Sequence, residues 1–113
     1  MLPREHRLKK EMEIKKLFQR GKGVFDGFVG VKVRKNSFEE SRFVVVVGTK
    51  VHKRAYKRNR IRRRIRAILN MHLAHVTPGF DVAVIAKPNA LSATYADLER
   101  SVLSALRKAR LYE

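Results

Sequence analysis

The spacing of apolar residues switches repeatedly along this chain between a helical and a strand repeat. In residues 9–20, KKEMEIKKLFQR, Met12, Ile14, Leu17 and Phe18 form a rough apolar face for a short amphipathic helix, and Gly21 stands where a C′ residue belongs. Residues 24–33 alternate as a strand, with Val29, Val31 and Val33 on one face and Phe28, Gly30 and Lys32 on the other. Asn36-Ser37 and the acids Glu39-Glu40 suit a turn. Residues 42–48, RFVVVVG, are β-branched and apolar on both faces, the pattern of a central buried strand.

The clearest helical signal lies in residues 56–74. Ile61, Ile65, Leu69 and His72, with Ile68 beside them, fall on one stripe at about 100° per residue. Arg62, Arg63 and Arg66 lie to one side of that stripe, Arg60 and Arg64 to the other. Thr77-Pro78-Gly79 ends the segment, residues 80–86 read as a second buried strand, and Pro88-Asn89 breaks it. Ser92 or Thr94 can cap a final helix whose core stripe is Leu98, Val102, Leu103, Leu106 and Leu111. The order α-β-β-α-β-α, without repeat or linker, predicts a single α+β domain over residues 1–113, a small mixed sheet packed with helices.

Charge adds to this picture because it is concentrated. Of 27 basic residues, ten lie in residues 50–66, KVHKRAYKRNRIRRRIR, a stretch with no acid. Nothing acidic separates Glu40 from Asp81, so those forty residues carry a formal +11 of the chain's +17. Like charges at this density repel by a few tenths of a kcal/mol per adjacent helical pair, and a polyanion is the natural partner to offset that. A 44% hydrophobic content agrees with a folded core and not with a disordered basic tail.

Other chemistries find little support. There is no cysteine, hence no disulfide, no thiolate metal site and no cysteine nucleophile, which fits a reducing compartment. The ten acids are scattered, and the chain has no phosphate-binding loop and no GxSxG or GxGxxG, so no catalytic residue is assigned. His72 and His75 have a spacing that can hold a metal on a helix, but no carboxylate or cysteine lies nearby in sequence; His72 is expected to pack and His75 to face water, with no metal site. MLPREHRLKK lacks the apolar region of a signal peptide, and the longest strictly apolar run, residues 43–47, is far short of a membrane span. The expectation is a cytoplasmic protein with no membrane association, no cofactor bound by the protein alone and no obligate protein partner.

Solvated helices alternate charge signs to gain i,i+4 pairs, whereas this helix has six arginines between residues 58 and 66 and no acid. Arginine's planar fork matches phosphate bidentately and stacks on bases, which a lysine ammonium does not do. Asn59, between Arg58 and Arg60, adds a donor and an acceptor for a sugar or base edge. An arginine-dense helix without a helix-turn-helix partner suits the shape and phosphates of folded RNA better than the DNA major groove. Phe18 and Phe28 with the basic N-terminus (Arg4, Arg7, Lys9, Lys10) combine apolar faces and cations as single-strand grooves do.

AYKRNRIRRRIRAIL, preceded by VVVVGTKVHKR, resembles the RNR signature region of the bacterial ribonuclease P protein subunit. LPREHRLKK followed by IKKLFQRGK resembles that family's N-terminal helix, and FDVAVIAKPNA its later strand, so the similarity spans nearly the whole chain. The resemblance implies an α+β domain with a left-handed βαβ crossover, against the usual preference. It implies a partner RNA that is itself the catalyst, with Mg2+ in the RNA-containing holoenzyme, cutting the 5′ leader from precursor tRNA. Carried over by position, Arg58, Asn59 and Arg60 match the signature, Lys57, Arg62, Arg63 and Arg66 flank it on the helix, and Lys50, Lys53 and Arg54 match the basic loop before it, all as contacts to the catalytic RNA. A cleft for the single-stranded leader would be lined by Ile14 and Phe18 of the first helix and by Phe28, Val29 and Val31 of a strand.

Three positions depart from the family. Ile14 stands where phenylalanine is common and replaces base stacking by apolar contact, Thr49 replaces a usual lysine, and Lys87 stands where arginine is frequent. The alternative to a role in cleavage is a ribosomal-type or general RNA-binding protein. A protein-only nuclease is disfavoured by the lack of clustered carboxylates.

Overall fold

A computed structural model describes residues 2–113. Its elements are α1 (Glu11–Arg20), β1 (Lys22–Asp26), β2 (Val29–Lys35), β3 (Arg42–Val46), α2 (Ala55–Met71), β4 (Phe80–Ala86) and α3 (Tyr95–Lys108), with 3₁₀ turns at Arg4–His6, Leu73–His75 and Pro88–Ser92. The α+β class is as expected, but the order is α-β-β-β-α-β-α. The single strand predicted over residues 24–33 is a hairpin, β1 pairing antiparallel with β2 from Lys22↔Val33 to Asp26↔Val29. Its two-residue loop is Gly27-Phe28, with Gly27 at φ +55°, the position of a type II′ turn that glycine fills without strain. The turn dipeptide Asp26-Gly27 marks the break in the sequence, between apolar residues on either side.

The four strands lie in the order β1-β2-β4-β3, with β2 and β4 antiparallel and β3 and β4 parallel. Both faces of this sheet are covered. On one, Val29, Val31, Phe43, Val45, Val82 and Val84 form the main core with Ile61, Ile65, Ile68 and Leu69 of α2 and Leu98, Val102, Ala105 and Leu106 of α3. On the other, Leu17 of α1 and Leu8 pack on Ala83, flanked by Ile14, Phe18, Val44 and Ile85. Met12, expected on the buried face of α1, is 70% exposed. The N-terminal segment closes the free edge of β3: Arg7 bridges Phe43 in parallel, and the Leu8 amide donates to the Phe43 carbonyl at 2.8 Å. A covered edge cannot template pairing with another chain.

The hand of the β3–α2–β4 crossover follows from chirality. The Lys87 amide donates to the Phe28 carbonyl and the Asn36 amide to that of Gly79, so the residues in register between them, Gly30↔Ile85 and Lys32↔Ala83, exchange the ladder bonds. Ala83 and Ile85 therefore turn their amides toward β2 and their side chains toward α1. For an L-residue with its side chain facing the viewer and the chain running upward, the amide groups point right. From the α1 side β3 thus lies left of β4, and from the α2 side it lies right. The connection passes leftward in front of the sheet, a left-handed crossover where about 98% of such units are right-handed.

α3 starts in a capping box, the Thr94 hydroxyl accepting from the Asp97 amide and the Asp97 carboxylate from the Thr94 amide, both at 3.1 Å. It ends at Lys108, so Leu111 is not part of its stripe as predicted, yet Leu111 is only 1% exposed. The chain folds back through Arg110 at φ +63°, with Leu111 N–H donating to the Leu106 carbonyl and Arg110 N–H to that of Arg107, both at 2.9 Å. That is a Schellman closure with arginine where glycine is usual. An L side chain in this region costs on the order of 1 kcal/mol. We expect Arg110→Gly to raise the unfolding free energy by about 0.5–1 kcal/mol, measured by urea denaturation.

Candidate nucleic-acid interface

The basic loop enters α2 at Arg54, an N-cap without a side-chain capping bond, and the first turn carries no acid to offset the helix dipole. Arg58 does not fill that gap, being a donor and a cation, but it fixes the loop ahead of the helix. Its Nη1 donates to the carbonyls of His52 at 3.0 Å and Lys53 at 2.6 Å, while the Arg54 amide donates to His52 Nδ1 at 3.0 Å. Arg58 thereby folds the loop back on the helix and presents Lys50, Lys53 and Arg54 outward, all three exposed. Asn59 has a comparable role one residue later: its Oδ1 accepts a hydrogen bond from Arg62 Nη1. Two members of the RNR triplet therefore position other cations, which sequence alone did not reveal.

Arg63 and Arg60 are exposed, while Lys57, Arg62, Arg64 and Arg66 lay part of their stems along the protein. Burial pushes the Arg66 guanidinium below its ordinary pKa, and repulsion from Arg62 and Arg7 adds to the effect. Among the described residues, no carboxylate forms a salt bridge with any of the ten predicted RNA-contacting side chains. Their positive field is uncompensated within the molecule, which is the arrangement that attracts phosphate.

The second expected surface forms only in part. Ile14 and Phe18 do lie together, half-buried over Ala83 between α1 and the sheet. The strand residues assigned with them do not face that way. Val29 and Val31, 0% and 1% exposed, belong to the core on the opposite face, and Phe28 borders that same core with its amide bound to Ser101 Oγ at 2.9 Å. The register places Phe25, Gly30, Lys32, Val44, Val46 and Ile85 on the α1 side instead. Phe25 is 63% exposed with its ring across Gly30, where a Cβ would stand only 2.6 Å from it. Lys32 Nζ donates to the Phe18 carbonyl at 2.6 Å and ties the last turn of α1 to β2. Alternation separated Val29, Val31 and Val33 from Gly30 and Lys32 but not which set α1 would cover, because both faces of the sheet are covered.

At the far end of this cleft an arginine joins three elements. Arg42 of β3 donates through Nε and Nη2 to both oxygens of Asp81, at 2.9 and 2.8 Å, and through Nη2 to Glu13 of α1 at 2.8 Å. Asn36 Nδ2 adds a bond to Asp81 at 2.9 Å, and the Phe38 ring centroid lies 4.4 Å from the guanidinium carbon. Burial disfavours the Arg42 cation, but its bonds to Asp81 and Glu13 prevail and hold it above its ordinary pKa. The hydrogen bond from Arg42 in turn holds the Glu13 carboxyl below the usual carboxylate value, against a smaller desolvation effect.

His72 is half-buried, with Nδ1 3.0 Å from Tyr112 Oη and Nε2 2.9 Å from Glu99, and His75 is exposed. Among the described residues no group of three or more His, Cys, Asp or Glu side chains could hold a metal ion. No helix among them is long and apolar enough to cross a membrane.

Residues 2–110 match the family model described as Ribonuclease P. The ribonuclease P protein component of Desulfosudis oleivorans is 36% identical over 105 residues, covering 93% of this chain and 86% of that protein. The crystal structure of the Staphylococcus aureus RNase P protein superimposes with a TM-score of 0.87 at 26% identity, covering 96% of this chain and 98% of that one. The RNase P protein from Thermotoga maritima gives 0.82 at 25% identity, covering 90% and 96%.

The depressed Glu13 carboxyl links the α1 contact to pH. Its contribution to stability is complete above the ordinary carboxylate value of 4.5 and is lost as pH falls through its lowered folded value. Asp26, lowered chiefly by the Ser104 hydroxyl, acts in the same direction. Unfolding free energy should therefore decline as pH drops below 4.5. In Glu13→Gln that decline should be shallower and the neutral-pH stability lower, both read from denaturant titrations across pH.

Proposed function

The chain belongs to the ribonuclease P protein family, and on that premise we propose that it docks α2 on a catalytic RNA and holds the 5′ leader of precursor tRNA in the α1 cleft during tRNA 5′ maturation. The observation that carries this reading is the arginine-bearing surface of α2, rich in phosphate-matching forks and, among the described residues, without a carboxylate in salt-bridge contact. Folded RNA brings its phosphates together at high charge density. Fixed cations placed against them reduce that repulsion, so the RNA keeps its fold and its metal ions at lower bulk magnesium.

The chemistry belongs to the RNA in this reading. Glu13 and Asp81 are committed to Arg42, and Asp97 to its capping box and Arg100, so none of these three carboxylates is offered as a metal ligand. What the chain supplies is position. In the cleft, Phe18 and Ile14 face Val44 and Ile85, the exposed Phe25 lies on the same face of the sheet, and Lys16 and Arg34 line the recess near Arg42. An apolar strip bordered by cations suits an unpaired strand, whose bases stack on rings while its phosphates meet the charges. The scissile bond need not touch the protein.

Two measurements test the two surfaces. Arg62→Ala with Arg63→Ala should weaken catalytic-RNA binding at moderate salt and reduce the slope of log affinity against log salt by about one per lost contact, with circular dichroism unchanged. Unaltered affinity in a folded variant would remove α2 as the docking surface. Phe18→Ala should weaken precursor tRNA binding by the reconstituted holoenzyme on the order of tenfold while mature tRNA binding barely changes. Equal losses for both substrates would refute the leader cleft.

A further inference from the structure

The two edges of α2 do not look alike. One, with Arg62 and Arg66, lies beside Arg7 of the N-terminal segment. The other, with Lys57, Arg60 and Arg64, faces the 3₁₀ turn Pro88–Ser92 and the start of α3 across a groove of about 430 Å³, within the roughly 300–1,000 Å³ typical of small-ligand sites. Ile61 and Ala93, 4% and 5% exposed, contribute its apolar base. Leu91 and Tyr95, 43% and 36% exposed, stand on the side opposite the cations. Among the described residues no carboxylate lines the groove.

Packing explains how this wall is built but not why it carries large apolar groups. The short turn is pinned by Ala90 and Ala93, 1% and 5% exposed, and this leaves the intervening Leu91 facing water. Tyr95 is the first residue of α3, where neither helix formation nor the core requires an aromatic ring. The Thr94 and Ser92 hydroxyls are already committed, Thr94 accepting from the Asp97 amide at 3.1 Å and Ser92 donating to the Asn89 carbonyl at 3.2 Å. What remains is a ring, an aliphatic side chain and three cations. That set binds a planar base next to a phosphate and reads little of the base's identity.

We propose that this groove is a second RNA subsite, which seats one unpaired nucleotide of the catalytic RNA with its base against Tyr95 and Leu91 and its phosphates on Lys57, Arg60 and Arg64. The inference rests on the RNA-partner reading above and extends it to the opposite edge of α2. A paired nucleotide does not satisfy the groove, because its base faces are covered by neighbours in the duplex and Tyr95 would find only backbone. An unpaired one satisfies ring and cations together. The helix is then gripped from both sides, by phosphates along Arg62 and Arg66 and by a splayed nucleotide along Arg60 and Arg64.

The test has two arms. In the first, the isotope-labelled chain is titrated with adenosine monophosphate and, separately, with inorganic phosphate, and amide shifts are followed. Shifts should cluster in residues 57–64 and 91–95, and Tyr95→Ala should weaken the nucleotide by on the order of fivefold or more while Tyr95→Phe stays near wild type. Phosphate binding should depend on Arg64 and not on Tyr95. Equal affinity for nucleotide and phosphate, shifts confined to the α1 cleft, or displacement of the nucleotide by an equal concentration of hexaglutamate would each overturn the proposal.

In the second arm, Tyr95→Ala should weaken catalytic-RNA binding by a similar factor without changing the salt slope, whereas Arg64→Ala should lower that slope by about one. If wild-type protein fails to bind the catalytic RNA at all, the RNA-partner reading fails. If it binds and Tyr95→Ala has no effect in either arm, only the groove fails.

Discussion

Burial of one aliphatic stripe holds this molecule's function-bearing surface in place. Ile61, Ile65, Ile68 and Leu69 are at most 4% exposed and pack against Phe43, Val45, Val82 and Val84 of the sheet. Each such side chain contributes roughly 1.5–3 kcal/mol on burial. Against this stand like-charge pairs such as Arg58/Arg62, Arg60/Arg64 and Arg62/Arg66, each unfavourable by only a few tenths of a kcal/mol. The apolar term wins by a wide margin, so a helix with no acid of its own stays folded and its cations stay fixed. Remove the stripe and the same charges would belong to a disordered basic tail.

The sequence carried most of this, and where it fell short the reason is physical. Helix α2 was legible because a single stripe repeats through four turns, and β4 was legible to the residue because Gly79 and Pro88 bracket a run that is apolar apart from Asp81. The β1–β2 hairpin was read as one strand although Asp26-Gly27 marks its turn, because apolar residues resume at once on the far side. The cleft strand was assigned to the wrong face for a related reason. In a sheet covered on both sides, alternation sorts residues into two sets without saying which helix covers which set. Val29 and Val31 were therefore grouped with Phe18, which packs on the other side of the sheet.

Long-range polar geometry was invisible altogether. Arg42 meets partners 29 and 39 residues away in sequence, and nothing local marks Glu13 and Asp81 as those partners. Within α2 the composition identified the cations, but not that Arg58 bends the loop or that Asn59 steers Arg62. A motif read as three contacts to RNA also contains, in three dimensions, two groups that organise their neighbours.

The strand order has a consequence in time. β4 lies between β2 and β3 although it follows both in the chain, so neither β2 nor β3 has its inner neighbour until residues 80–86 exist. Before then the polypeptide can make only the β1–β2 hairpin and isolated helical turns. The inner face that receives Ile65 and Leu69 is incomplete at that stage, because Val82 and Val84 are part of it. Sheet closure and seating of α2 must therefore happen together, as one cooperative event that demands long-range contacts and pays their full loop-closure entropy. During synthesis, the arginine-rich segment is complete before the surface that will hold it.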